Sequence, residues 1–238
     1  MTTVIVTPEQ WKRQTLELTA ESYHHLFRVR RLRVGDRLRI VDGRGRARTA
    51  KVEQIERHVA RLALGDTQRA NEPGTRVELL VAAPRPQRAG WLVEKATEVG
   101  VGAVRFFNSA RSPRRYGAST LERLTRMARS AVEQCERALV PEVTAVHEWR
   151  EIAELLGRLG ECRVLDQAAT TTSMALPSDV TSVGILVGPE GGWESAELQT
   201  LETLACRAVS LGERVLRVET AALVAAAAVL VTPSVDTL

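Results

Sequence analysis

Two glycine-containing segments near the carboxyl end have the residue types of a backbone-lined ligand site. The first is Gly188-Pro189-Glu190-Gly191-Gly192, which follows the apolar run Ile185–Val187. The second runs from Leu211-Gly212 to Ala221 and also follows an apolar run. Because glycine has no Cβ atom, such loops let a ligand approach the backbone closely. Together they predict one concave pocket for a small ligand, although an ordinary strand-to-helix turn explains either loop alone equally well.

Neither segment has the spacing of a common nucleotide-binding loop. The first lacks the Gly-Lys-Ser/Thr ending of a Walker loop and the Gly-x-Gly-x-x-Gly pattern of a dinucleotide site. The four histidines have no ligand spacing with the cysteines, so no metal is expected. The three cysteines, Cys135, Cys162 and Cys206, are scattered, which predicts reduced thiols rather than a disulfide framework.

From Val77 onward, apolar runs alternate with amphipathic stretches, which predicts an α/β domain with a parallel sheet. The predicted strands are Val77–Ala82, Ala103–Phe107, Arg163–Leu165, Val183–Val187 and Ala208–Leu211. The predicted helices are Ala89–Val99, Leu121–Arg137, Glu148–Gly157, Ser195–Leu204 and Thr220–Val231, with Thr220 as the N-cap of the last. Ligands of such sheets bind beyond the carboxyl ends of the strands, where both glycine segments fall.

The predicted helix Leu121–Arg137 has one apolar stripe and one polar stripe. Gln134 and Arg137 are three residues apart, so they are predicted to share a face. From the pattern alone, a solvated helix face is the preferred explanation of this polar stripe.

Residues 1–72 are predicted to form a separate small β-barrel domain, followed by the α/β domain at 73–238. Short alternating runs such as Arg37–Val41 are separated by Gly-Asp and Asp-Gly pairs, which are typical of turns between strands. The polar stretch Arg69–Arg76, with Pro-Gly at its centre, marks the boundary.

The positive charge is concentrated in the first predicted domain. Residues 1–72 contain 15 Lys or Arg against 9 Asp or Glu, whereas the remainder contains 18 against 20. A basic patch confined to one domain indicates a polyanionic partner, and a solvated arginine-rich surface is the alternative. The candidate phosphate-binding residues are Arg28, Arg30, Arg31, Arg33 and Arg37.

Several motifs together resemble the RsmE family of bacterial small-subunit ribosomal RNA uridine-N3 methyltransferases, which are of the SPOUT class. The segment Gly188–Gly192 followed by Glu197, and the segment Leu211–Ala221, resemble its signature. His25–Asp36 resembles its PUA-like RNA-binding segment, and Glu94–Val101 its first catalytic-domain helix. Its central motif is matched by Arg111-Ser112, by Glu133–Arg137 and by Pro141. The resemblance covers nearly the whole chain, although Trp193 stands where the family usually has Phe or a smaller apolar residue.

The resemblance implies a C-terminal SPOUT domain with a deep trefoil knot, a PUA-like N-terminal β-barrel and a homodimer. It implies S-adenosylmethionine as methyl donor and 16S rRNA of the small ribosomal subunit as substrate. The implied donor-binding residues are Leu165, Gly188, Pro189, Glu190, Gly191, Gly192, Leu211, Gly212, Val215, Leu216, Arg217 and Thr220. The implied catalytic residues are Arg137, Glu133, Gln134 and Arg111, with Glu190 as another candidate proton acceptor.

Two other functions fit the sequence: a non-catalytic RNA-binding factor in ribosome assembly, and a SPOUT methyltransferase acting on tRNA. No apolar run reaches the roughly 18 residues of a membrane span, and no leader segment is evident. We therefore expect a cytoplasmic protein with no membrane partner.

Overall fold

The computed structural model describes residues 1–112 and 114–231. The chain divides into two compact units. The first unit contains residues 1–72 and 132–140, and the second contains residues 73–131 and those from 141 onward. The sequence analysis placed 132–140 in the second domain, whereas in the structure this segment packs within the first unit.

The first unit contains a five-stranded sheet. Its strands are β1 (Thr3–Ile5), β2 (Thr15–Thr19), β3 (Arg37–Val41), β4 (Arg46–Ile55) and β5 (Val59–Arg69), in the order β1-β3-β4-β5-β2. β1 pairs with β3 in parallel, and the other pairs are antiparallel. Helices α1 (Pro8–Trp11) and α2 (Ala20–Tyr23) are short, and α2 continues into a π-helical turn, His24–Val29. On β3, Leu38 and Ile40 are buried and Arg37 is exposed, as the alternation predicts.

The second unit is an α/β domain with a parallel six-stranded sheet. Its strands are β6 (Arg76–Ala82), β7 (Ala103–Phe107), β8 (Glu142–Val146), β9 (Glu161–Leu165), β10 (Ser182–Val187) and β11 (Arg207–Val209), in the order β11-β9-β10-β6-β7-β8. The helices that follow are α3 (Pro86–Val99), α4 (Ala118–Cys135), α5 (Trp149–Leu156), α6 (Ser195–Thr203) and α7 (Val218–Val231). The predicted α/β class is confirmed, and the five predicted strands and five predicted helices all have counterparts.

Element boundaries differ from the prediction at three functionally relevant places. The edge strand β8 was not predicted, because only Val143 and Val146 of its five residues are buried. Helix α4 ends at Cys135 rather than at Arg137, since Glu136 adopts a left-handed φ of 61°. Helix α7 begins at Val218, and the amide of Ala221 donates to the carbonyl of Arg217 at 2.8 Å. Thr220 therefore lies inside the first turn and is not the N-cap.

Two of the three cysteines form a disulfide, so the prediction of reduced thiols is wrong for this pair. The parallel register of β11 and β9 places Arg207 opposite Arg163, and the preceding residue, Cys206, comes opposite Cys162. Their Cα atoms are 4.7 Å apart and their sulfurs are bonded. The two cysteines are 44 residues apart in the sequence, and they become neighbours only because β11 lies next to β9 in the sheet. Cys135 is a free thiol.

Within residues 1–112 and 114–231, the structure contains no helix with the length and apolarity needed to cross a bilayer. In the same ranges, no three His, Cys, Asp or Glu side chains are grouped so that they could hold a metal ion.

Candidate active site

A pocket lies beyond the carboxyl ends of three neighbouring strands of the second unit. Strand β9 ends at Leu165, β10 at Val187 and β11 at Val209, and all three residues line the pocket. The two glycine segments and the start of α7 complete its wall. The two loops that the sequence singled out therefore do form one concavity, at the edge of the sheet where α/β domains bind ligands.

The conformation of the first glycine loop depends on Trp193. The indole Nε1 of Trp193 donates to the carbonyl of Leu165 at 2.9 Å, and its ring stacks on Phe107 at a centroid distance of 5.9 Å. A Cβ atom on Gly188 would come within 2.7 Å of this ring. Glycine at this position thus allows the loop to pass beside a large aromatic side chain.

Two arginines hold the same loop through different atoms. Arg111 Nη1 donates to the carbonyl of Gly191 at 2.6 Å. The Arg88 guanidinium forms an ion pair with the Glu190 carboxylate, and its Nε lies 3.6 Å from Glu219 Oε1. Arg111, predicted as catalytic, therefore contacts the loop backbone directly.

Glu219, in the first turn of α7, is the buried acidic residue of this network. Its side chain is 8% exposed, and its Oε2 is buried without a hydrogen-bond partner among the described residues. The negative charge of this carboxylate is therefore balanced chiefly by Arg88. The network connects α3, the glycine loop and α7.

The second glycine loop is held by the segment that follows β9. The amide of Asp166 donates to the carbonyl of Val209 at 3.1 Å, and Gln167 Nε2 donates to the carbonyl of Glu213 at 3.3 Å. Gly212 has a φ of 101°, a left-handed conformation that favours glycine. Its amide donates to the Ser210 hydroxyl at 3.2 Å.

Most of the predicted donor-binding residues line the pocket. Those that do are Leu165, Gly188, Pro189, Glu190, Gly192, Leu211, Gly212, Val215 and Leu216. Gly191 and Arg217 belong to the same loops and Thr220 to the first turn of α7, but none of the three is part of the lining. The sequence analysis missed Asp166, Gln167, Trp193, Ser210 and Arg214. The position of Asp166 and Gln167 directly after a predicted strand was the signal that could have identified them.

Three predicted catalytic residues, Glu133, Gln134 and Arg137, belong to the first unit. Arg137 lies beyond the end of α4, so it does not share a helix face with Gln134, contrary to the prediction. Its Nε and Nη2 lie 3.0 and 2.9 Å from Glu72 Oε2. Glu133 Oε1 accepts the amide of Ile5 at 3.1 Å. Both charged side chains thus have structural contacts within this unit.

The predicted RNA-binding arginines surround the π-helical turn and the start of β3. Arg28 donates to the carbonyl of Arg57 at 3.3 Å, and Arg30 Nε donates to His25 at 3.2 Å. Arg31 has a left-handed φ of 57°. Arg28, Arg31 and Arg37 are exposed, which leaves their side chains accessible to a polyanion.

Comparisons with known proteins agree with this arrangement. The family model described as "RNA methyltransferase domain" matches residues 71–230, and one described as "RNA methyltransferase PUA domain" matches residues 18–64. A relative from Mycobacterium tuberculosis named "Ribosomal RNA small subunit methyltransferase E" is 33% identical over 86% of this chain and 82% of its own length. The chain belongs to the ribosomal RNA small subunit methyltransferase E family.

Other members of the ribosomal RNA small subunit methyltransferase E family match at similar length. The relative from Synechocystis is 30% identical over 94% of this chain and 75% of its own. A crystal structure from Neisseria gonorrhoeae, described as this methyltransferase bound to S-adenosyl methionine, has a TM-score of 0.83 and 27% identity, with 96% of each chain covered. The predicted combination of a PUA domain with a SPOUT-type methyltransferase domain is thereby confirmed, and the trefoil knot stays a prediction.

Proposed function

We propose that this chain transfers a methyl group from S-adenosylmethionine to N3 of one uridine in 16S rRNA of the small ribosomal subunit. The pocket made by the two glycine loops is the observation that carries the proposal. The names of the relatives support a small-subunit ribosomal RNA as substrate. The Neisseria gonorrhoeae relative, described as bound to S-adenosyl methionine, supports the methyl donor. A ribosomal RNA substrate agrees with the expected cytoplasmic location.

The residues of the pocket suit an uncharged nucleoside joined to an amino acid. Both loops border it, and their lining glycines Gly188, Gly192 and Gly212 have no Cβ atom of their own to cover the backbone. The donor supplies an activated methyl group on a sulfonium. We infer that the loop backbones hold its adenine, ribose and methionine parts and fix the direction of the methyl group.

The uridine N3–H is weakly acidic, so a proton acceptor must remove its proton before the nitrogen can attack. Glu190 is a candidate because it belongs to the pocket lining, and its carboxylate pairs with Arg88 in the structure. Glu133 is less suited, since its Oε1 accepts the Ile5 amide. N3 lies on the pairing edge of the base, so the uridine must be unpaired or flipped out to react.

Arg137 is proposed to stabilise the anion that forms on the uracil ring. In the structure its guanidinium pairs with Glu72. In Arg137→Ala, donor binding should persist while methyl transfer falls at least a hundredfold, and Arg150→Ala, on an exposed helix face, serves as control. A transfer rate equal to that of the control would remove Arg137 from the mechanism.

A homodimer is proposed from the apolar surface of two helices that pack together. Trp91 on α3 is 43% exposed and Val224 on α7 is 44% exposed, and both helices belong to the second unit. Large apolar side chains exposed on adjacent helices are typical of a protein interface. Light scattering should give twice the mass of one chain for the wild type, and a lower mass for Trp91→Glu.

Two alternative functions can be separated from the proposal experimentally. A non-catalytic assembly factor would bind ribosomal RNA without binding the donor, so a calorimetric titration with S-adenosylmethionine distinguishes it. A tRNA methyltransferase would bind the donor but modify tRNA instead. The pocket formed by the two glycine loops argues against the non-catalytic factor, because such a factor would not need a site for the donor.

A further inference from the structure

A second concave site lies in the first unit, at the opposite end of β3 from the predicted arginine patch. Arg44, Arg46 and Arg69 line it, together with Thr67 and Glu72. None of these residues was among the predicted RNA-binding positions. The site is formed where the β3–β4 hairpin meets the end of β5, and the amide of Ala70 donates to the carbonyl of Gly45 at 3.0 Å there.

Two of the arginines are placed against each other. Arg46 and Arg69 are directly opposite in the antiparallel register of β4 and β5, so their side chains extend from the same face. Opposed like charges destabilise a strand pair. The Arg46 charge is paired with Asp42, so Arg69 is the member of this pair that an anion at the site would stabilise.

The acidic groups nearby are already balanced. Asp42 Oδ2 accepts from Arg46 Nε at 2.7 Å, and its Oδ1 accepts the amides of Arg44 and Arg46 at 2.8 and 3.0 Å. Burial raises the pKa of Asp42, but these hydrogen bonds outweigh it and hold the pKa below its ordinary value. Asp42 is therefore a carboxylate whose charge offsets that of Arg46.

Glu72, the acidic residue of the lining, is balanced in the same way. Its Oε2 lies 2.9 Å from Arg137 Nη2, and its Oε1 accepts the amides of Ala138 and Leu139 at 2.8 and 3.0 Å. In contrast, neither Arg44 nor Arg69 has a carboxylate within 4.0 Å in the part of the chain that the structure describes. Two positive charges thus remain uncompensated at one concave site.

We propose that this site binds a backbone phosphate of the RNA substrate, with Arg44 and Arg69 as its charged ligands and the Thr67 hydroxyl as a further donor. Guanidinium groups suit this task because their planar forks bind phosphate oxygens in pairs. The inference rests on the proposed function for the identity of the polyanion. A phosphate contact positions the RNA without recognising its sequence. The site should therefore contribute to the binding of any single-stranded RNA.

The test measures the salt dependence of binding to polyuridylate by fluorescence anisotropy, with the full chain. For single strands, log K falls against log salt with a slope of about −0.7 per phosphate neutralised. The double variant Arg44→Ala with Arg69→Ala should flatten the slope by about 0.7, because one phosphate is no longer neutralised. The double variant Arg44→Lys with Arg69→Lys should keep the wild-type slope.

The matched control is Arg57→Ala with Arg61→Ala, which removes two charges from the same unit outside the site. Equal flattening in this control would overturn the proposal, because charge anywhere on the unit would then suffice. An unchanged slope in the Arg44/Arg69 alanine variant would overturn it as well. Because polyuridylate is not the methylated substrate, a failure of rRNA methylation leaves this result interpretable and counts only against the proposed function.

Discussion

The indole of Trp193 occupies the space beside Gly188 that a side chain would need, 2.7 Å from an ideal Cβ position. The same indole is fixed by its hydrogen bond to the Leu165 carbonyl, so it cannot move away without losing that bond. The loop between β10 and α6 therefore depends on one glycine and one tryptophan together. Gly188 and Leu165 both line the pocket, which makes its shape sensitive to this contact.

Gly188→Ala should weaken donor binding, because the added methyl group would collide with the Trp193 ring at the pocket. Among the glycines of the second unit that do not have a positive φ, this substitution should have the largest effect on donor affinity. Overpacking of this kind costs about 1–3 kcal/mol, and about 1.4 kcal/mol corresponds to a tenfold loss of affinity. Calorimetry with S-adenosylmethionine measures the loss. Gly74→Ala is the matched control, because a Cβ atom there meets nothing within 4 Å. Equal affinities for the two variants would contradict the proposed position of the donor.

Trp193→Phe should separate the hydrogen bond of the indole from its packing. Phenylalanine can still stack on Phe107 but leaves the Leu165 carbonyl without its donor. We expect a loss of about 1 kcal/mol in the free energy of unfolding. Urea unfolding checks this value, and stability equal to that of the wild type would show that water or another group replaces the indole.

Arg88→Ala should destabilise the second unit and weaken donor binding, because it leaves the buried carboxylate of Glu219 uncompensated and frees Glu190. We expect a loss of about 1–3 kcal/mol. The control Arg150→Ala breaks an exposed pair with Glu154 and should cost less than about 1 kcal/mol. Adding Glu219→Gln to Arg88→Ala should restore stability but not donor affinity. A double variant as unstable as Arg88→Ala would show that Glu219 is not the source of the cost.

Glu78 should make the stability of the second unit dependent on pH in the acidic range. Burial raises its pKa, but hydrogen bonds from Arg105 and Arg76 outweigh burial, so the pKa lies below its ordinary value of 4.5. The stabilising contribution is complete above pH 4.5 and is lost as the pH falls through the lowered pKa.

The variant Glu78→Gln should be less stable at neutral pH and should lose less stability on acidification. Urea unfolding at about pH 7 and about pH 3.5 measures both effects. Glu154→Gln, at an exposed pair, is the control and should follow the wild-type curve. An acid dependence in Glu78→Gln as steep as that of the wild type would exclude Glu78 as its source.

The sequence predicted the second unit well because its central strands are continuous apolar runs. β6 and β10 are buried on both faces along nearly their whole length, so their composition identifies them without knowledge of their neighbours. The edge strand β8 was not predicted because only two of its five residues are buried. The two glycine loops were found for a similar local reason, since each directly follows a strand that the sequence predicted.

Features that depend on contacts between distant residues could not be predicted. The contact of Arg137 with Glu72 joins residues 65 positions apart, and it gives Arg137 a structural partner that no local pattern indicates. Arg46 and Arg69 are opposed only because of the register of β4 and β5. Likewise, Trp193 was recognised as unusual in the sequence, but its role beside Gly188 follows from the fold of the loop.

The most direct test is methyl transfer from labelled S-adenosylmethionine to in vitro transcribed 16S rRNA and to small ribosomal subunits, followed by mass spectrometry of the nucleosides. We predict N3-methyluridine at a single position with the wild type, at least a tenfold lower yield with Gly188→Ala and a wild-type yield with Gly74→Ala. Label on another atom or on tRNA alone, or no label from folded protein that binds the donor, would contradict the proposed function.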